Sequence, residues 1–253
     1  MGFVHSDITY DVVPVIDGAF FRFDEYLARF LSSMENLHLD PGMTKLDIQA
    51  ALHQMVGKSN LRDSYVAMVC SRGKPKIAGS RDPRDCDNHF FAWCVPYVHV
   101  IKPEVVEQGA TAWIAQNAYR IPENSVNPLV KNYHWGDFTQ GIFEAKDKDY
   151  ETVILLDYDG NVTEGPGFNV FAVKDKVLIT PDRGVLAGVS RKTVLEMAEH
   201  LGINTSIRSL SVEELLEAEE VFLSSSGGGV IPIIRVNETI FGNGASGPIS
   251  VQL

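Results

Sequence analysis

The sequence predicts an α+β protein that is built from two lobes. The chain has 253 residues, a length that allows one large domain or two modest ones. Segments typical of strands and of helices follow one another without a regular βαβ alternation. Residues 121–128 are polar and contain two prolines, which is typical of a connector. We therefore predict a smaller N-terminal α/β domain over 1–120, a connector over 121–128 and a larger C-terminal domain over 129–253.

The N-terminal domain begins with a pattern typical of a β-hairpin. Apolar residues alternate on both sides of Asp17-Gly18, a dipeptide that favours a type I′ turn. Apolar residues at helical spacing follow Asp24, which is suited to cap a helix, and a second helix is expected to start at Thr44. Three β-like runs complete the domain, and the long polar loop between the first two is a candidate lid. The runs are 64–70, 90–100 and 110–118, and the loop is 71–88.

The C-terminal domain opens with a predicted helix over 130–145. Ser190 is placed to cap a second helix, and Ser211 begins a capping box with Glu214. A serine- and glycine-rich turn at 224–229 is expected to join two strands. The predicted strands of this domain are 152–158, 168–173, 177–180, 221–223 and 230–234.

Composition disfavours several classes of function. The 22 Lys and Arg residues against 33 Asp and Glu residues give a net charge of −11. Non-specific binding to nucleic acid or to an anionic membrane is therefore not expected. The three cysteines form no CxxC pair, which fits a reducing compartment. Neither a signal peptide nor an apolar stretch of about 18 residues is visible, so we predict a cytoplasmic protein.

Several catalytic motifs are missing from the sequence, among them the Walker loop, GxGxxG, HExxH and GxSxG. The seven histidines lie far apart, and no two of them have metal-ligand spacing on one helix. We therefore expect no metal site.

Lys131 is the first candidate catalytic residue, because it lies in the aromatic-rich stretch VKNYHWGD at 130–137. A buried lysine has a lowered pKa and is a nucleophilic amine for Schiff-base chemistry. The alternative is a surface lysine at a domain junction, which burial statistics favour when the residue is considered alone.

Two further features are suited to bind a ligand. Glu164 lies beside glycines at a strand end, where it is either a partner for a protonated ring nitrogen or simply a turn residue. The helix start at Val189 and Ser190 and the turn at Ser225 and Ser226 are each either a phosphate site or an ordinary cap and loop. An amine, an acid and two phosphate sites together favour pyridoxal phosphate, which needs all three.

Five stretches of the sequence, taken in their order along the chain, resemble the class IV aminotransferases, which are fold-type IV pyridoxal-phosphate enzymes. Within that family the chain is most similar to the (R)-selective amine transaminases. The resemblance covers essentially the whole chain, and its most specific stretches are HSDITYD at 5–11, VKNYHWGD at 130–137, TEGPGFN at 163–169, TPDRGVL at 180–186 and SSGGGVIP at 225–232. It implies the two-lobe fold of the D-amino-acid and branched-chain aminotransferases, pyridoxal 5′-phosphate as the cofactor, and a homodimer.

The resemblance also implies a role for each candidate residue. Lys131 forms the Schiff base and moves the proton during transamination, and Glu164 pairs with the pyridine nitrogen. The residues that bind the phosphate are Arg29, Val189, Ser190, Ser225 and Ser226. The residues that line the substrate pocket are His5, Tyr10, Tyr65 and Trp135. For Tyr10 and Trp135 the alternative is a core position, which is commoner for aromatic residues at such spacing.

One position departs from the amine-transaminase pattern. Where an arginine of the family receives the substrate carboxylate, this chain has Ala78, so Arg81 and Arg84 in the same loop become the candidates. The chain also begins at the first strand and ends at Leu253, whereas relatives extend further on both sides. A trimmed version of a longer enzyme is the expected explanation.

The predicted activity is transfer of an amino group from an (R)-configured primary amine to a keto acid such as pyruvate. Alternatives on the same scaffold are D-amino-acid or branched-chain amino-acid transamination and aminodeoxychorismate lyase chemistry. A non-catalytic ligand-binding homologue is the alternative from a different class.

Overall fold

The computed structural model describes residues 2–253, and this part of the chain forms two compact units. Unit 1 comprises the residues up to Val98 together with Val130–His134, and unit 2 comprises His99–Leu129 and Trp135–Leu253. This division differs from the predicted domains, and strand pairing is the reason. Residues 110–119 belong to the larger sheet of the chain, and Asn132 forms a bridge to Thr9.

Unit 1 contains a small antiparallel sheet and two long helices. Its elements are α1 (Gly2–His5), β1 (Ile8–Ile16), β2 (Ala19–Phe20), α2 (Phe23–Asn36), α3 (Lys45–Ser59), β3 (Ser64–Pro75) and β4 (Cys86–Pro96). The strand order is β2-β1-β3-β4. Asp17 and Gly18 have φ angles of 57° and 80°, as a type I′ turn requires, so the predicted hairpin is confirmed.

The two faces of the unit 1 sheet have different neighbours. Side chains alternate along a strand, so Asp11 and Val13 of β1 share the face that meets α2. Tyr10 and Val12 lie on the opposite face, in a cluster that includes Val69 of β3. This second face carries Tyr10 and Tyr65, and the amine of Lys131 lies over its Tyr10 ring.

Unit 2 contains a larger mixed sheet. Its elements are α4 (Pro103–Gln108), β5 (Ala110–Tyr119), α5 (Gly136–Lys146), β6 (Thr152–Leu156), β7 (Glu164–Gly165), β8 (Phe168–Lys174), β9 (Val177–Thr180), α6 (Val189–His200), β10 (Asn204–Ile207), α7 (Val212–Leu216), β11 (Glu220–Ser225), β12 (Gly229–Val236), β13 (Thr239–Ile240) and α8 (Pro248–Gln252). The main strand order is β10-β9-β8-β11-β12-β5-β6, with β7 paired to β8 and β13 to β12. Parallel and antiparallel pairs both occur in this sheet.

Helices α5 and α6 pack on the sheet of unit 2 through apolar side chains. In α6, Val194 and Ala198 join a buried cluster with Phe171 and Phe222, whose rings stack with centroids 5.0 Å apart. In α5, Phe138 is buried in a cluster with residues of β5 and β6. The first turn of α6 lies close to Asn169 of β8, and the first turn of α5 contains Asp137, which binds Arg120 just after β5.

Four local predictions are wrong. The helix predicted over 130–145 begins only at Gly136, because the preceding residues extend beside β1. The predicted loop 71–88 is shorter, since β3 continues to Pro75 and β4 begins at Cys86. Neither predicted cap residue is the N-cap of its helix: Asp24 lies inside α2, whose N-cap residue is Arg22, and Ser190 lies inside α6, whose N-cap residue is Gly188.

Among residues 2–253 we find no helix that combines the length and the apolar character needed to span a bilayer. Cys70, Cys86 and Cys94 are all free thiols.

Candidate active site

Lys131 lies in unit 1, in an irregular segment beside β1. Its carbonyl oxygen accepts hydrogen bonds from the N–H of Tyr10 at 3.3 Å and from the hydroxyl of Thr9 at 2.6 Å. Its own N–H donates to Ser33 Oγ at 3.3 Å. The backbone of Lys131 is therefore tied to both β1 and α2.

The amine of Lys131 lies over an aromatic surface. Its Nζ is 4.6 Å from the centroid of the Tyr10 ring. The Tyr10 ring stacks on Tyr133, with centroids 3.9 Å apart and planes at 7°. Tyr65 and Tyr133 pack against the buried cluster that contains Tyr10. The Lys131 amine therefore lies on a continuous aromatic surface.

Burial keeps two phenols of this surface uncharged. Loss of solvation raises the pKa of Tyr65, and the neighbouring Tyr10 adds to the shift. Loss of solvation also raises the pKa of Tyr133. The surface therefore offers neutral hydroxyls and ring faces, which suit an aryl or alkyl group. His5, the other predicted pocket residue of unit 1, is exposed at the end of α1.

Arg29 forms an ion pair with Asp11 between α2 and β1. Its Nε and Nη2 donate to the two carboxylate oxygens at 2.8 and 2.7 Å. The two side chains are 11% and 0% exposed. Burial acts to lower the pKa of Arg29, but the charge and hydrogen bonds of Asp11 outweigh it, so the pKa is raised. Any phosphate contact of Arg29 would add to this existing pair.

The predicted carboxylate-binding arginines lie in the turn between β3 and β4. Arg84 Nε donates to both carboxylate oxygens of Asp82, at 2.9 and 3.0 Å. Arg81 and Ala78 are exposed. Within the described residues Arg81 has no hydrogen-bond or ion-pair partner. The two arginines therefore differ in how readily they can receive a new anion.

Glu164 is buried in unit 2, where β7 pairs with β8. Its Oε1 accepts from Arg120 Nε at 3.2 Å and lies 3.1 Å from Arg120 Nη2. Its Oε2 accepts from the N–H of Leu186 at 2.8 Å and from Asn169 Nδ2 at 3.4 Å. Both carboxylate oxygens thus have donors, which fix the orientation of the group.

Arg120 links Glu164 to a second carboxylate. Its Nη1 donates to Asp137 Oδ2 at 2.7 Å. The guanidinium carbon lies 4.4 Å from the centroid of the Phe138 ring. The side chains of Asp137, Arg120 and Glu164 are 6%, 8% and 7% exposed. Unit 2 therefore contains a buried chain of carboxylate, guanidinium and carboxylate.

The N-terminus of α6 lies close to Asn169, which also contacts Glu164. A Cβ atom on Gly188 would lie 2.2 Å from Asn169 Oδ1, so only glycine permits this approach. Val189 is buried and Ser190 is partly exposed in the first turn. Because the first N–H groups of a helix favour an anion, this turn is suited to a phosphate.

Ser225 and Ser226 lie at the turn between β11 and β12. Ser225 Oγ donates to the carbonyl oxygen of Gly167 at 2.8 Å and accepts from the N–H of Gly227 at 3.1 Å. Ser226 is partly exposed. The preceding Ser224 has a buried hydroxyl that lacks a hydrogen-bond partner in the described part of the chain. A buried polar atom of this kind is suited to a polar ligand.

Trp135 belongs to unit 2, where it is the N-cap residue of α5. Its ring meets Phe138 edge-on, with centroids 5.5 Å apart. The predicted site residues therefore fall into two groups. Those of unit 1 are Lys131, Arg29, His5, Tyr10, Tyr65, Arg81 and Arg84, and those of unit 2 are Glu164, Val189, Ser190, Ser225, Ser226 and Trp135.

Arg120, Asp137 and Tyr133 were not predicted as site residues. Tyr133 could have been predicted from its position, because it follows Lys131 by two residues and alternate residues of an extended segment lie on the same side. For Arg120 there is no local signal, because its partners lie 17 and 44 positions away in the sequence.

Comparison with known proteins identifies the family. The family profile described as amino-transferase class IV matches residues 9–236. Because this match covers most of the chain, the chain belongs to the class IV aminotransferases, and the predicted family and enzyme class are confirmed.

Two curated relatives match nearly the whole chain. The putative branched-chain-amino-acid aminotransferase of Methanocaldococcus jannaschii is 28% identical over 255 residues, which cover 100% of this chain and 86% of that protein. The D-alanine aminotransferase of Bacillus licheniformis is 28% identical over 256 residues, which cover 98% and 86%.

Solved structures agree with these matches. The crystal structure of the Escherichia coli branched-chain aminotransferase has a TM-score of 0.93 at 25% identity, covering 99% of this chain and 84% of that one. The branched-chain aminotransferase of Thermobaculum terrenum in its PLP form has a TM-score of 0.86 at 26% identity, covering 98% and 82%. The predicted α+β fold class is confirmed.

Proposed function

We propose that the chain is a pyridoxal-phosphate-dependent transaminase that moves the amino group of an (R)-configured primary amine to a keto acid such as pyruvate. The observation that carries this proposal is the position of the Lys131 amine, 4.6 Å from the Tyr10 ring centroid on a surface of neutral aromatic side chains. The PLP form of the Thermobaculum terrenum relative supports the choice of cofactor.

The residues of the chain fit this cofactor. When bound, it supplies a carbonyl carbon that an amine attacks and a ring that withdraws electrons from the reacting carbon. The chain provides an amine at Lys131, a buried carboxylate at Glu164 and a helix N-terminus suited to phosphate. The unpartnered hydroxyl of Ser224 in the described structure adds a buried polar atom at the start of the neighbouring turn.

The roles follow from these chemical properties. Lys131 binds the cofactor through its amine and moves a proton at Nζ, while its backbone stays tied to β1 and α2. Glu164 holds the ring nitrogen in its protonated form, since a fixed carboxylate favours a positive charge beside it. For the phosphate, the family resemblance supports Arg29, Val189, Ser190, Ser225 and Ser226 as the binding residues.

Substrate preference in this proposal comes from the aromatic surface. Tyr10, Tyr65 and Tyr133 pack in one cluster of unit 1 and offer ring faces to an aryl group. The family resemblance adds His5 of unit 1 and Trp135 of unit 2 as further substrate-site residues. An amine without a carboxylate needs no cation in this pocket, whereas the keto acid does.

Arg81 is our proposed partner for the keto-acid carboxylate. Arg84 is already bonded to both oxygens of Asp82, whereas the described residues provide no such partner for Arg81. Replacing Arg81 with Ala should raise the KM for pyruvate roughly ten- to a hundredfold, the value of one charge-assisted hydrogen bond. Arg84→Ala is the matched control and should change this KM less. Equal pyruvate kinetics in wild type and Arg81→Ala would contradict the assignment.

Amino-acid transamination is the second candidate. It is favoured by the relatives, which are named as branched-chain and D-alanine aminotransferases. D-alanine has the same (R) configuration as the proposed amines, and the branched-chain L-amino acids have the opposite one. The configuration of the preferred donor, and whether that donor carries a carboxylate, therefore distinguish the two candidate activities.

A donor panel tests the proposal. The donors are (R)- and (S)-1-phenylethylamine, D-alanine and L-leucine, with pyruvate as acceptor, or 2-oxoglutarate for D-alanine. We expect kcat/KM for the (R)-amine to exceed that for the (S)-amine by at least about tenfold, a difference of one well-placed contact. Faster turnover of L-leucine or D-alanine than of the (R)-amine would instead assign amino-acid transamination.

A homodimer belongs to the same proposal and is supported by the family resemblance. Light scattering of the holoenzyme should give about twice the chain mass of 28.0 kDa. A fully active protein with the mass of one chain would contradict this part.

A further inference from the structure

We propose that Arg120 is a positioning residue, which sets the orientation of the Glu164 carboxylate toward the ring nitrogen of the cofactor. The inference rests on the proposed function, because the role of Glu164 comes from there. Its structural basis lies entirely within unit 2, in the chain of contacts from Asp137 through Arg120 to Glu164.

Arg120 uses different parts of its guanidinium for the two carboxylates. Its Nε and Nη2 meet Glu164 Oε1 at 3.2 and 3.1 Å, while Nη1 meets Asp137 Oδ2 at 2.7 Å. A planar group with donors in a fixed fork holds two acceptors at a set angle. A lysine ammonium has three rotatable donors and does not impose this angle.

Asp137 anchors the arginine. Its Oδ2 also accepts the N–H of Ile121 at 3.0 Å, and its Oδ1 accepts the N–H of Phe138 at 2.8 Å. The Phe138 ring lies 4.4 Å from the guanidinium carbon, which restricts the arginine from a second direction. The remaining donors of Arg120 are therefore aimed at Glu164.

The two oxygens of Glu164 are held by different groups. Leu186 and Asn169 donate to Oε2, whereas Arg120 donates to Oε1. The last torsion of a glutamate side chain is broad, so donors to one oxygen alone leave the carboxylate able to rotate. It follows that Arg120 removes this freedom and that Glu164 keeps one orientation throughout the reaction.

The experiment compares ring-nitrogen protonation in holoenzyme variants. Each variant is reconstituted with ¹⁵N-labelled pyridoxal phosphate, and the ¹⁵N chemical shift of the ring nitrogen and the cofactor Kd are measured at one pH. Glu164→Gln is the reference for loss of the carboxylate. Arg120→Lys keeps the charge and loses the fork. The double variant Arg120→Met/Asp137→Asn removes one positive and one negative charge, so the net buried charge is conserved and folding is protected.

A second ion pair of unit 2 provides the matched control. Arg208 donates to both carboxylate oxygens of Glu214, at 2.7 and 2.5 Å, but its side chain is 43% exposed. Arg208→Lys therefore removes a comparable two-point guanidinium contact, at a position away from the proposed site. We expect it to leave the ¹⁵N shift and the turnover at their wild-type values.

We expect the ¹⁵N shift to move furthest in Glu164→Gln, in the same direction in the double variant, and partway in Arg120→Lys. The kcat of both Arg120 variants should fall roughly ten- to a hundredfold, the effect of one charge-assisted hydrogen bond, with little change in the amine KM. An unchanged shift in Glu164→Gln would overturn the role of Glu164 and this inference with it. A shift that moves in Glu164→Gln but stays at the wild-type value in both Arg120 variants would overturn the inference on Arg120 alone.

Discussion

Lys131 in unit 1 and Glu164 in unit 2 differ in where their hydrogen bonds lie: those of Lys131 described above involve its backbone, and those of Glu164 involve its carboxylate. The backbone of Lys131 forms hydrogen bonds with Thr9, Tyr10 and Ser33, and its amine lies over the face of the Tyr10 ring. At Glu164 both carboxylate oxygens accept hydrogen bonds, from Arg120 and from the N–H of Leu186. Hydrogen bonds therefore fix the backbone of Lys131, whereas the contact of its amine with the Tyr10 ring is less directional than a hydrogen bond.

This difference matches the two proposed roles. A residue that moves a proton between atoms needs an end that can turn, whereas a residue that stabilises one charge needs a preorganised position. The burial of the two residues agrees, since Lys131 is partly exposed and Glu164 is 5% exposed. The comparison can be tested by removing each residue and then each of its supports.

Removing the amine should have the largest effect. In Lys131→Ala we expect kcat to fall by at least about 10³-fold, because both covalent attachment and proton transfer are lost. Steady-state rates of the reconstituted enzyme provide the measurement. Lys146→Ala, at an exposed ion pair with Glu151, is the control and should be fully active. Full activity of Lys131→Ala would remove Lys131 from the chemistry.

Glu164→Gln should have the next largest effect. We expect kcat to fall roughly 10²- to 10³-fold, since a fixed charge at the reacting group is lost while the side-chain shape is kept. The cofactor Kd should change far less. Glu217→Gln, at the exposed pair with Lys174, is the control. Unchanged turnover together with loss of the cofactor would make Glu164 a packing residue.

The support of the Lys131 backbone can be weakened through the Arg29–Asp11 pair, which joins the same strand and helix. Arg29→Met leaves a buried carboxylate unpaired, so the free energy of unfolding of the apoprotein should fall by about 3–5 kcal/mol in urea denaturation. Arg62→Met breaks the exposed pair with Asp17, which solvent screens, and should lower the free energy of unfolding far less. Equal losses in the two variants would show that the buried pair does not hold the unit together.

Removing the aromatic ring that stacks beneath Tyr10 should have the smallest effect. Tyr133→Leu removes the stack on Tyr10, which is worth about 0.5–1.5 kcal/mol, so kcat/KM for an aryl amine should fall by up to about tenfold. Tyr158→Leu removes another stacked pair, with the exposed Tyr119, and is the control. A higher kcat/KM in Tyr133→Leu would mean that Tyr133 obstructs the pocket.

Locally encoded features could be predicted from the sequence. The Asp17-Gly18 turn and the helix start at Thr44 depend on residues within a few positions, and both are present. The lysine segment could not be predicted in this way. Its residues have helical spacing of apolar groups, but hydrogen bonds to β1 and α2 hold it extended.

Long-range packing also explains the other differences. The polar residues after Ser71 predict a loop, but Gly73 lets β3 continue, because a Cβ there would lie 1.6 Å from the carbonyl oxygen of Asp87. Glu164 could be selected from its glycine-rich stretch. The donors that orient it could not, since Arg120 and Leu186 are distant in the sequence and are brought to it only by the folded sheet.

The central claim is that Lys131 binds the cofactor, and chemical trapping tests it most directly. The holoenzyme is reduced with borohydride, digested, and mapped by mass spectrometry. We expect one pyridoxyl group per chain, on the peptide that contains Lys131, and no label there in Lys131→Ala. Label on a different lysine, or an equal yield of pyridoxyl-labelled chain from Lys131→Ala, would contradict the account.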